Sequence, residues 1–379
     1  GLKVIDDYTL QIELNKPEPF FINRITTPWI AIFPREAENV KFKDKWGLQI
    51  AVGTGPYQLI SKTDNEIIMG KNADYWNKQK MPKIEKLIFR IVKNDQVRFM
   101  GLTENKIDLM VLPNKLFSVV FDSERRLNDK YRKGFNLKTI STFNTHTIGT
   151  NIKKIPDVHL RRAMFYGTNR HEMVEKTLYG YGDVMGGITP PGMNGYMPLF
   201  ENIFNPEKAR EELKLSHYDG KEIELLVHDL ANSEEIGQIF QKQMRNIGIN
   251  ISLTKLDYNS NIVRMVKGEA ALFSMFFEFV FSSPEPLLIN LFTTAKIPVP
   301  NFWQYSNKNI DKKLEELRYS SDRQESVAIC ADIEKEIMQD APAVFLYRQK
   351  YIVMFSNKFR NLKVNAHNHY MFEELEMAE

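Results

Sequence analysis

The 379-residue chain has little of three things: cysteine, net charge and long apolar runs. Its one cysteine, Cys330, cannot form an internal disulfide, so cysteine usage does not reveal the redox compartment. Cys330 lies in a helical pattern with Ile333 and Ile337, which predicts a small buried side chain. The most apolar run, residues 270–281, contains Ser274 and Glu278 and is far too short to span a bilayer. The 51 basic and 48 acidic residues leave a net charge of +3, which does not favour nucleic-acid binding.

The chain also lacks complete catalytic and metal-binding motifs. His171-Glu-Met-Val-Glu175 has part of a zinc-protease helix pattern, but Glu175 stands where the second histidine is required. His367 and His369 share one face of a predicted strand, yet two ligands are too few to define a metal site. The glycines that begin at Gly180-Tyr-Gly182 do not have the spacing of a dinucleotide-binding loop, and the sequence contains no GxSxG motif. We therefore expect no catalytic residues, no metal and no cofactor, in a protein that is not an enzyme.

The stretch Val52-Gly-Thr-Gly-Pro-Tyr-Gln-Leu-Ile60 has two readings, a phosphate-binding loop or a turn before a strand. A phosphate loop presents successive backbone N–H groups and then opens a helix, whereas Pro56 removes one of those groups. Two strand-like segments follow, and residues 63–65 between them are typical of a tight turn. We therefore predict a structural turn in which the two glycines permit a tight or left-handed backbone, followed by a hairpin over residues 57–71.

Beyond this hairpin, strand-like and helix-like patterns alternate. This order predicts a mixed α/β fold whose sheets are covered by helices. Asp95, Asp157 and Asn205 are placed to cap helices, and Pro206 stands at a first helical position. A further helix is predicted over residues 233–247, ended by the glycine that follows.

Short motifs along the whole chain occur in the order found in one protein family. Each motif is weak alone, but the ordered series is specific. The motifs are Asp7-Tyr-Thr9, Leu14-Asn-Lys-Pro17, Gly53-Thr-Gly-Pro-Tyr57, Asn72-Ala-Asp-Tyr-Trp76, Asn105-Lys-Ile-Asp108, Leu160-Arg-Arg-Ala163, Thr168-Asn-Arg170, Pro190-Pro-Gly-Met193, Asn205-Pro-Glu-Lys-Ala209, Tyr305-Ser-Asn307 and Asp340-Ala-Pro342. In these the sequence resembles the bacterial extracellular solute-binding proteins of family 5, the oligopeptide-, dipeptide- and nickel-binding proteins of ABC importers.

The resemblance implies an α/β fold with the two-lobe clamshell architecture of class II periplasmic binding proteins, with mixed sheets. Residues 1–35 would be the end of a small extra domain. Residues 36–150 and 350–379 would form lobe I, and residues 151–349 would form lobe II. Family members carry a signal peptide and further residues before the segment that matches Asp7, so the chain is expected to be N-terminally truncated.

The resemblance also implies a function, that of the substrate-binding component of an ABC importer. Such a component captures peptides or a related small solute in the cleft between its lobes and delivers it to a membrane permease. The chain would be a monomer that binds no nucleic acid, either periplasmic or lipid-anchored at the outer face of the cell membrane. Because fold alone does not fix ligand class, one alternative stays open. The same scaffold could bind a metal chelate, an oligosaccharide or a signalling ligand.

The run Leu272-Phe-Ser-Met-Phe-Phe-Glu-Phe-Val-Phe281 predicts a buried strand. With a period of two, Phe277, Phe279 and Phe281 share one face. The pattern fits a core strand with a carboxylate at its edge. The resemblance implies instead that the C-terminal end of the strand lines the ligand cleft, where a peptide would add by backbone hydrogen bonds.

The opposite face of this strand carries Glu278 and Val280. Peptide binders of the family place an aspartate soon after the strand to pair with the free amine of the peptide, and Val280 aligns there. Valine cannot accept a charge-assisted hydrogen bond, so Glu278 is the candidate substitute and Glu285 a weaker one. Asn301 and Trp303 are further candidate ligand residues. The Trp303 indole could stack on a ligand and donate its N–H, or it could pack beneath the following helix.

Overall fold

The computed structural model of the protein describes residues 1–18, 21–27, 30–35, 51–198, 203–320 and 322–378. Its elements before residue 143 are β1 (Leu2–Asp6), β2 (Thr9–Ile12), α1 (Phe21–Ile25), β3 (Tyr57–Lys62), β4 (Glu66–Lys71), β5 (Lys86–Arg90), α2 (Asp95–Thr103), β6 (Leu109–Val111), α3 (Phe117–Val120), α4 (Asp129–Arg132) and β7 (Phe135–Ser141). The later elements are β8 (Asn144–Thr150), α5 (Val158–Gly167), α6 (Arg170–Leu178), β9 (Gly182–Val184), α7 (Pro206–Leu215), β10 (Ile223–His228), α8 (Ser233–Ile247), β11 (Ile251–Leu256), α9 (Tyr258–Val266), β12 (Leu272–Glu278), α10 (Glu285–Phe292), α11 (Lys308–Arg318), α12 (Arg323–Gln339), β13 (Ala343–Ser356), β14 (Phe359–Arg360) and β15 (Glu376–Met377).

The chain divides into two compact units. Unit 1 comprises residues 1–29 and 143–349, and unit 2 comprises residues 30–142 and 350–379. The lobe assignment predicted from the sequence stays a prediction. Its segment 36–50 lies outside the described residues.

Unit 1 is built on a mixed sheet in the order β11–β10–β12–β8–β13, with β9 also paired to β13. Strand β10 runs parallel to β11 and β12, whereas β8 runs antiparallel to β12 and β13. Parallel strands need covered faces because crossover helices connect them. Helix α8 packs in one core cluster with Leu225 and Val227, and α10 packs in another with Leu226 and Phe273. The two clusters therefore cover opposite faces of the sheet.

Local signals in the sequence set several helix ends of unit 1. The Asp157 side chain accepts hydrogen bonds from the backbone N–H groups that open α5, and Asn205 caps α7 with a proline at its first position. Helix α8 ends at Gly248, whose φ is +97°. These predicted ends are confirmed. Cys330 is confirmed as buried, with 1 % of its surface exposed in α12.

Unit 2 contains the predicted hairpin as β3 and β4, which form an antiparallel sheet with β5. Of the two backbones predicted for the turn before β3, tight or left-handed, the left-handed one is wrong, because neither Gly53 nor Gly55 has a positive φ. The turn is held instead by Asn72. Its Nδ2 donates to the Gly55 carbonyl at 2.9 Å, and its backbone N donates to the Pro56 carbonyl at 2.9 Å.

Two further predictions in unit 2 need correction. The cap of α2 is Asn94 and not Asp95, since the Asn94 side chain accepts from the N–H groups of the first turn and its backbone is extended. His367 and His369 lie in a turn closed by a bridge between Val364 and Tyr370, not on a strand. Within the described ranges, no helix is both long and apolar enough to cross a membrane.

Gly149 on β8 allows two aromatic rings to approach the sheet of unit 1 closely. A Cβ at this position would lie 2.3 Å from Phe273 Cε2 and 2.4 Å from Trp303 Cζ3. Both rings are buried and stack on each other with centroids 5.5 Å apart. A side chain at position 149 would therefore push β12 and Trp303 away from β8.

We predict that Gly149→Ala lowers the free energy of unfolding by about 1–3 kcal/mol, the usual range for overpacking a dense core. The measurement is urea unfolding followed by circular dichroism. Gly134→Ala is the matched control, because a Cβ there meets no atom within 4 Å. Equal stability of Gly149→Ala and the control would contradict the close approach.

Candidate functional site

Strand β12 is held along its whole length on one side only. Its seven residues pair with β8, from Leu272 opposite Thr150 to Glu278 opposite Asn144. On the other side it pairs with β10 at only two positions, Leu272 and Phe273. Among the described strands, residues 274–278 thus have no ladder partner on the β10 side. An extended ligand segment could hydrogen-bond to this part of β12.

Glu278 places a carboxylate at the end of β12. Its side chain is exposed, and no hydrogen bond or ion pair to it occurs within the part of the chain that the structure describes. The residue opposite, Asn144, uses its amide on Gln349, donating to the carbonyl at 2.9 Å and accepting from the N–H at 2.8 Å. Partial burial raises the pKa of the Glu278 carboxyl. A cationic group of a ligand would lower this pKa and favour the charged form.

Apolar side chains surround this carboxylate along the chain. The rings of Phe277 and Phe279 stack with centroids 6.1 Å apart and planes 8° from parallel. Phe279 is buried, and its backbone N donates to the Phe143 carbonyl at 2.7 Å. Phe281 is half-buried, whereas Val280 is 41 % exposed. The end of β12 therefore combines one carboxylate with an apolar surface.

Trp303 lies inside the core of unit 1 and has no exposed surface. It stacks on Phe273 and Phe292, with centroid distances of 5.5 and 6.1 Å, and its ring also contacts Phe277 at 5.7 Å. Its indole nitrogen has no hydrogen-bond partner among the described residues. The structure thus brings Trp303 together with Phe277, but it buries the indole beneath the sheet.

Asn301 is also buried, and its side chain holds a turn. Its Nδ2 donates to the carbonyls of Thr293 at 3.1 Å and Tyr305 at 2.8 Å, and its Oδ1 accepts from Tyr305 N at 3.1 Å. These bonds satisfy the amide. The ligand contacts predicted for Asn301, Trp303 and the end of β12 stay predictions.

The weaker carboxylate candidate, Glu285, already has a protein partner. Its side chain is 1 % exposed, and Arg24 Nη2 donates to Glu285 Oε1 at 2.9 Å. Burial raises the pKa of this carboxyl, and the Arg24 charge acts in the opposite direction. Removing one partner from a buried ion pair strongly destabilises a protein. The Glu285 carboxylate therefore stabilises unit 1 through its pair with Arg24.

Sequence reasoning missed two buried histidines near these strand ends. His146 on β8 lies between the rings of Phe276 and Tyr347, at centroid distances of 4.8 and 4.7 Å. His228 is the last residue of β10 and is 3 % exposed. Its position at the carboxyl end of a parallel strand is a signal for a ligand site, because α/β folds bind ligands there. No comparable signal marks His146.

Metal ligands do not come together in the described ranges, where no group of three His, Cys, Asp or Glu side chains is placed to hold an ion. His367 and His369 have ring centroids 6.2 Å apart.

Comparison with known proteins relates the chain to one family. Residues 1–299 match the profile of the bacterial extracellular solute-binding proteins, family 5 middle region. The glutathione-binding protein GsiB of Pectobacterium atrosepticum is 24 % identical over an alignment of 392 positions including gaps, which covers all of this chain and 74 % of GsiB. The dipeptide-binding protein of Escherichia coli K12 is 24 % identical, over 91 % of this chain and 65 % of its own length.

A solved structure supports the fold. The periplasmic binding protein DppA of Helicobacter pylori, solved with the peptide STSA, matches all of this chain and 74 % of its own chain. The TM-score is 0.81 at 21 % sequence identity. The fold class predicted from the sequence, that of the periplasmic binding proteins, is confirmed by this likeness, and the resemblance carried by the short motifs is confirmed by the profile match.

The burial of His146 has a consequence for stability at low pH. Desolvation lowers the pKa of the His146 imidazole to about 3, whereas the pKa of a histidine in the unfolded chain stays near its ordinary value of 6.5. As the pH falls below 6.5, His146 binds a proton in the unfolded chain but not in the folded chain, and the free energy of unfolding therefore decreases. We predict that the decrease in the free energy of unfolding between pH 7 and pH 4.5 is about 2–3 kcal/mol smaller in His146→Phe than in the wild type.

The measurement is urea unfolding at both pH values. Phenylalanine retains an aromatic ring between Phe276 and Tyr347, and the exposed His171→Phe serves as the control. The same pH dependence in His146→Phe and the wild type would show that His146 is not kept neutral by burial.

Proposed function

Because the chain belongs to the bacterial extracellular solute-binding proteins of family 5, we propose that it captures peptides with a free amino terminus at the carboxyl end of β12. The observation that carries this proposal is Glu278, an exposed carboxylate with no partner in the described residues, at the end of a strand with an open edge. The relatives named above bind glutathione and dipeptides, and the matched Helicobacter structure holds a tetrapeptide. These names support a peptide as the solute here.

The chemistry of the strand end fits an extended peptide. Backbone groups of residues 274–278 can pair with the main chain of the solute, which gives affinity without reading sequence. Glu278 then accepts charge-assisted hydrogen bonds from the ammonium group, and these bonds are about twice as strong as neutral ones. Val280, Phe281 and the edge of Phe277 offer apolar contact to side chains of the solute.

The exposure of Val280 favours a second class of solute. Val280 is 41 % exposed at the position where the family resemblance implies an aspartate. If Glu278 does not replace that aspartate, the same strand end would bind a solute without an ammonium group, such as a metal chelate, an oligosaccharide or a signalling ligand.

The finer parts of the function belong to the same proposal. The chain would release its solute unchanged, without catalysis, to the membrane permease of an ABC importer. It would act as a monomer without nucleic acid, in the periplasm or lipid-anchored at the outer face of the cell membrane. Residues 36–150 with 350–379, and residues 151–349, would be the two lobes that close on the solute, with residues 1–35 ending a small extra domain. Closure requires that the solute binds the closed state more tightly than the open state.

The test is calorimetric titration of the full-length protein, freed of co-purified solute, with trialanine and with N-acetyl-trialanine. We predict that Glu278→Gln weakens trialanine binding by about 10- to 100-fold, the range expected when a hydrogen bond to a charged group is lost. Acetylation of the peptide should cost a similar factor in the wild type and little in the variant.

Glu222→Gln is the matched control, because Glu222 is exposed beside β10 and far along the chain from β12. Unchanged trialanine binding by Glu278→Gln would remove Glu278 from the site. Failure of every free-amine peptide to bind the wild type would reject the peptide proposal itself.

A further inference from the structure

The connections that follow the carboxyl ends of β10 and β12 run to opposite faces of the sheet of unit 1. The parallel pairing stops at Leu226 opposite Phe273, although β10 continues to His228 and β12 to Glu278. The chain leaves β10 into α8, which packs in the core cluster with Leu225, and leaves β12 towards α10, which packs in the cluster with Leu226. In α/β folds, neighbouring strands whose connections leave to opposite faces are the place where a crevice between the strand ends binds ligands.

His228 presents a hydrogen-bond donor at this crevice. Its Nδ1 accepts from Leu230 N at 3.2 Å, so the neutral ring carries its proton on Nε2. Burial lowers the pKa of His228, which keeps the ring neutral at physiological pH. The buried Nε2 has no hydrogen-bond partner within the described ranges. His228 therefore offers one N–H and no positive charge.

Asn261 on α9 presents a carboxamide in the same region. It is 1 % exposed, and neither its oxygen nor its nitrogen has a partner among the residues that the structure describes. Tyr258, three residues earlier on the same helix face, lies edge-on to the His228 ring at a centroid distance of 5.2 Å. Leaving a polar group buried and unpaired is destabilising, so native proteins keep few of them without a function.

The charges around these two side chains are negative or already paired. Asp229 follows His228 and interacts with its ring electrostatically. On α9, Arg264 is engaged by Glu224, with Nη1 and Nη2 bonds of 3.0 and 2.8 Å. Lys255, opposite Val227 on β11, is likewise paired with Glu234. A carboxylate entering here would compete with protein carboxylates for either cation, whereas an uncharged donor and acceptor group would find partners for both functions.

We propose that His228 and Asn261 form a buried, uncharged subsite that hydrogen-bonds a carboxamide of the solute, while Glu278 takes its amine. The inference rests on the proposed function, since it supplies the second polar anchor of the same solute. It narrows the class of that solute to one whose far end is a neutral carboxamide.

The experiment is calorimetric titration of the full-length protein with alanine peptides of two to five residues. Each peptide has a free amine and is used both as the carboxamide and as the free acid. At the length that binds most tightly, we expect the carboxamide to bind at least tenfold more tightly than the acid. Asn261→Leu should reduce carboxamide binding about tenfold and bring the two forms close to equal affinity.

Two variants control for structural effects. Asn259→Leu changes an exposed asparagine on the same helix and should leave the preference intact. Asn261→Leu removes an unpaired buried amide, so its unfolding midpoint should not fall while its preference is lost. If the leucine variant does not fold, Asn261→Ala gives the same comparison.

The outcomes separate the two proposals. Tight peptide binding with no preference for the carboxamide, or with a preference that survives in the Asn261 variants, overturns the subsite and leaves Glu278 and peptide binding in place. Absence of any peptide binding overturns the proposed function and this inference together.

Discussion

The unequal pairing of β12 is the constraint on which the proposed site depends. Seven residues bind this strand to β8, and two bind it to β10. Full pairing on one side fixes the register of the strand, because a slip of one residue would exchange the side chains that pack in the two core clusters on opposite faces of the sheet. On the β10 side, residues 274–278 have no ladder partner among the described strands, and the proposed solute would pair there. The close packing of Gly149 against Phe273 and Trp303 holds the fixed side in position.

Burial, more than nearby charge, sets the protonation state of the histidines around this strand end. His146 and His228 are both kept neutral because the surrounding core excludes water. Glu278 is the exception, since it remains exposed at the end of β12. Glu278 thus differs from the two histidines both in charge and in exposure. In the proposed site, Glu278 would select an amine and His228 an amide.

The sequence allowed prediction of the local features, because each depends on few neighbouring residues. The caps at Asp157 and Asn205 and the end of α8 follow from side-chain and backbone chemistry within one turn. The same reasoning could not decide between a tight and a left-handed backbone at Gly53 and Gly55, because a distant side chain, Asn72, holds that turn. It was wrong at Asp95, where the neighbouring Asn94 has the capping geometry.

The site was predictable only in part. The period of two placed Phe277 and Glu278 on opposite faces of one strand, which depends on local geometry alone. The burial of Trp303 follows from rings on β12 and α10, and the positions of His228 and Asn261 follow from where β10 and β12 separate. Such features depend on contacts between distant segments, and no pattern of neighbouring residues contains them.

The most direct test of the account is a crystal structure of the full-length protein with its native solute retained from the host. The account predicts a solute whose amine lies within hydrogen-bonding distance of the Glu278 carboxylate and whose main chain follows residues 274–278 of β12. A solute bound elsewhere, or one bound with Glu278 facing bulk water, would contradict it.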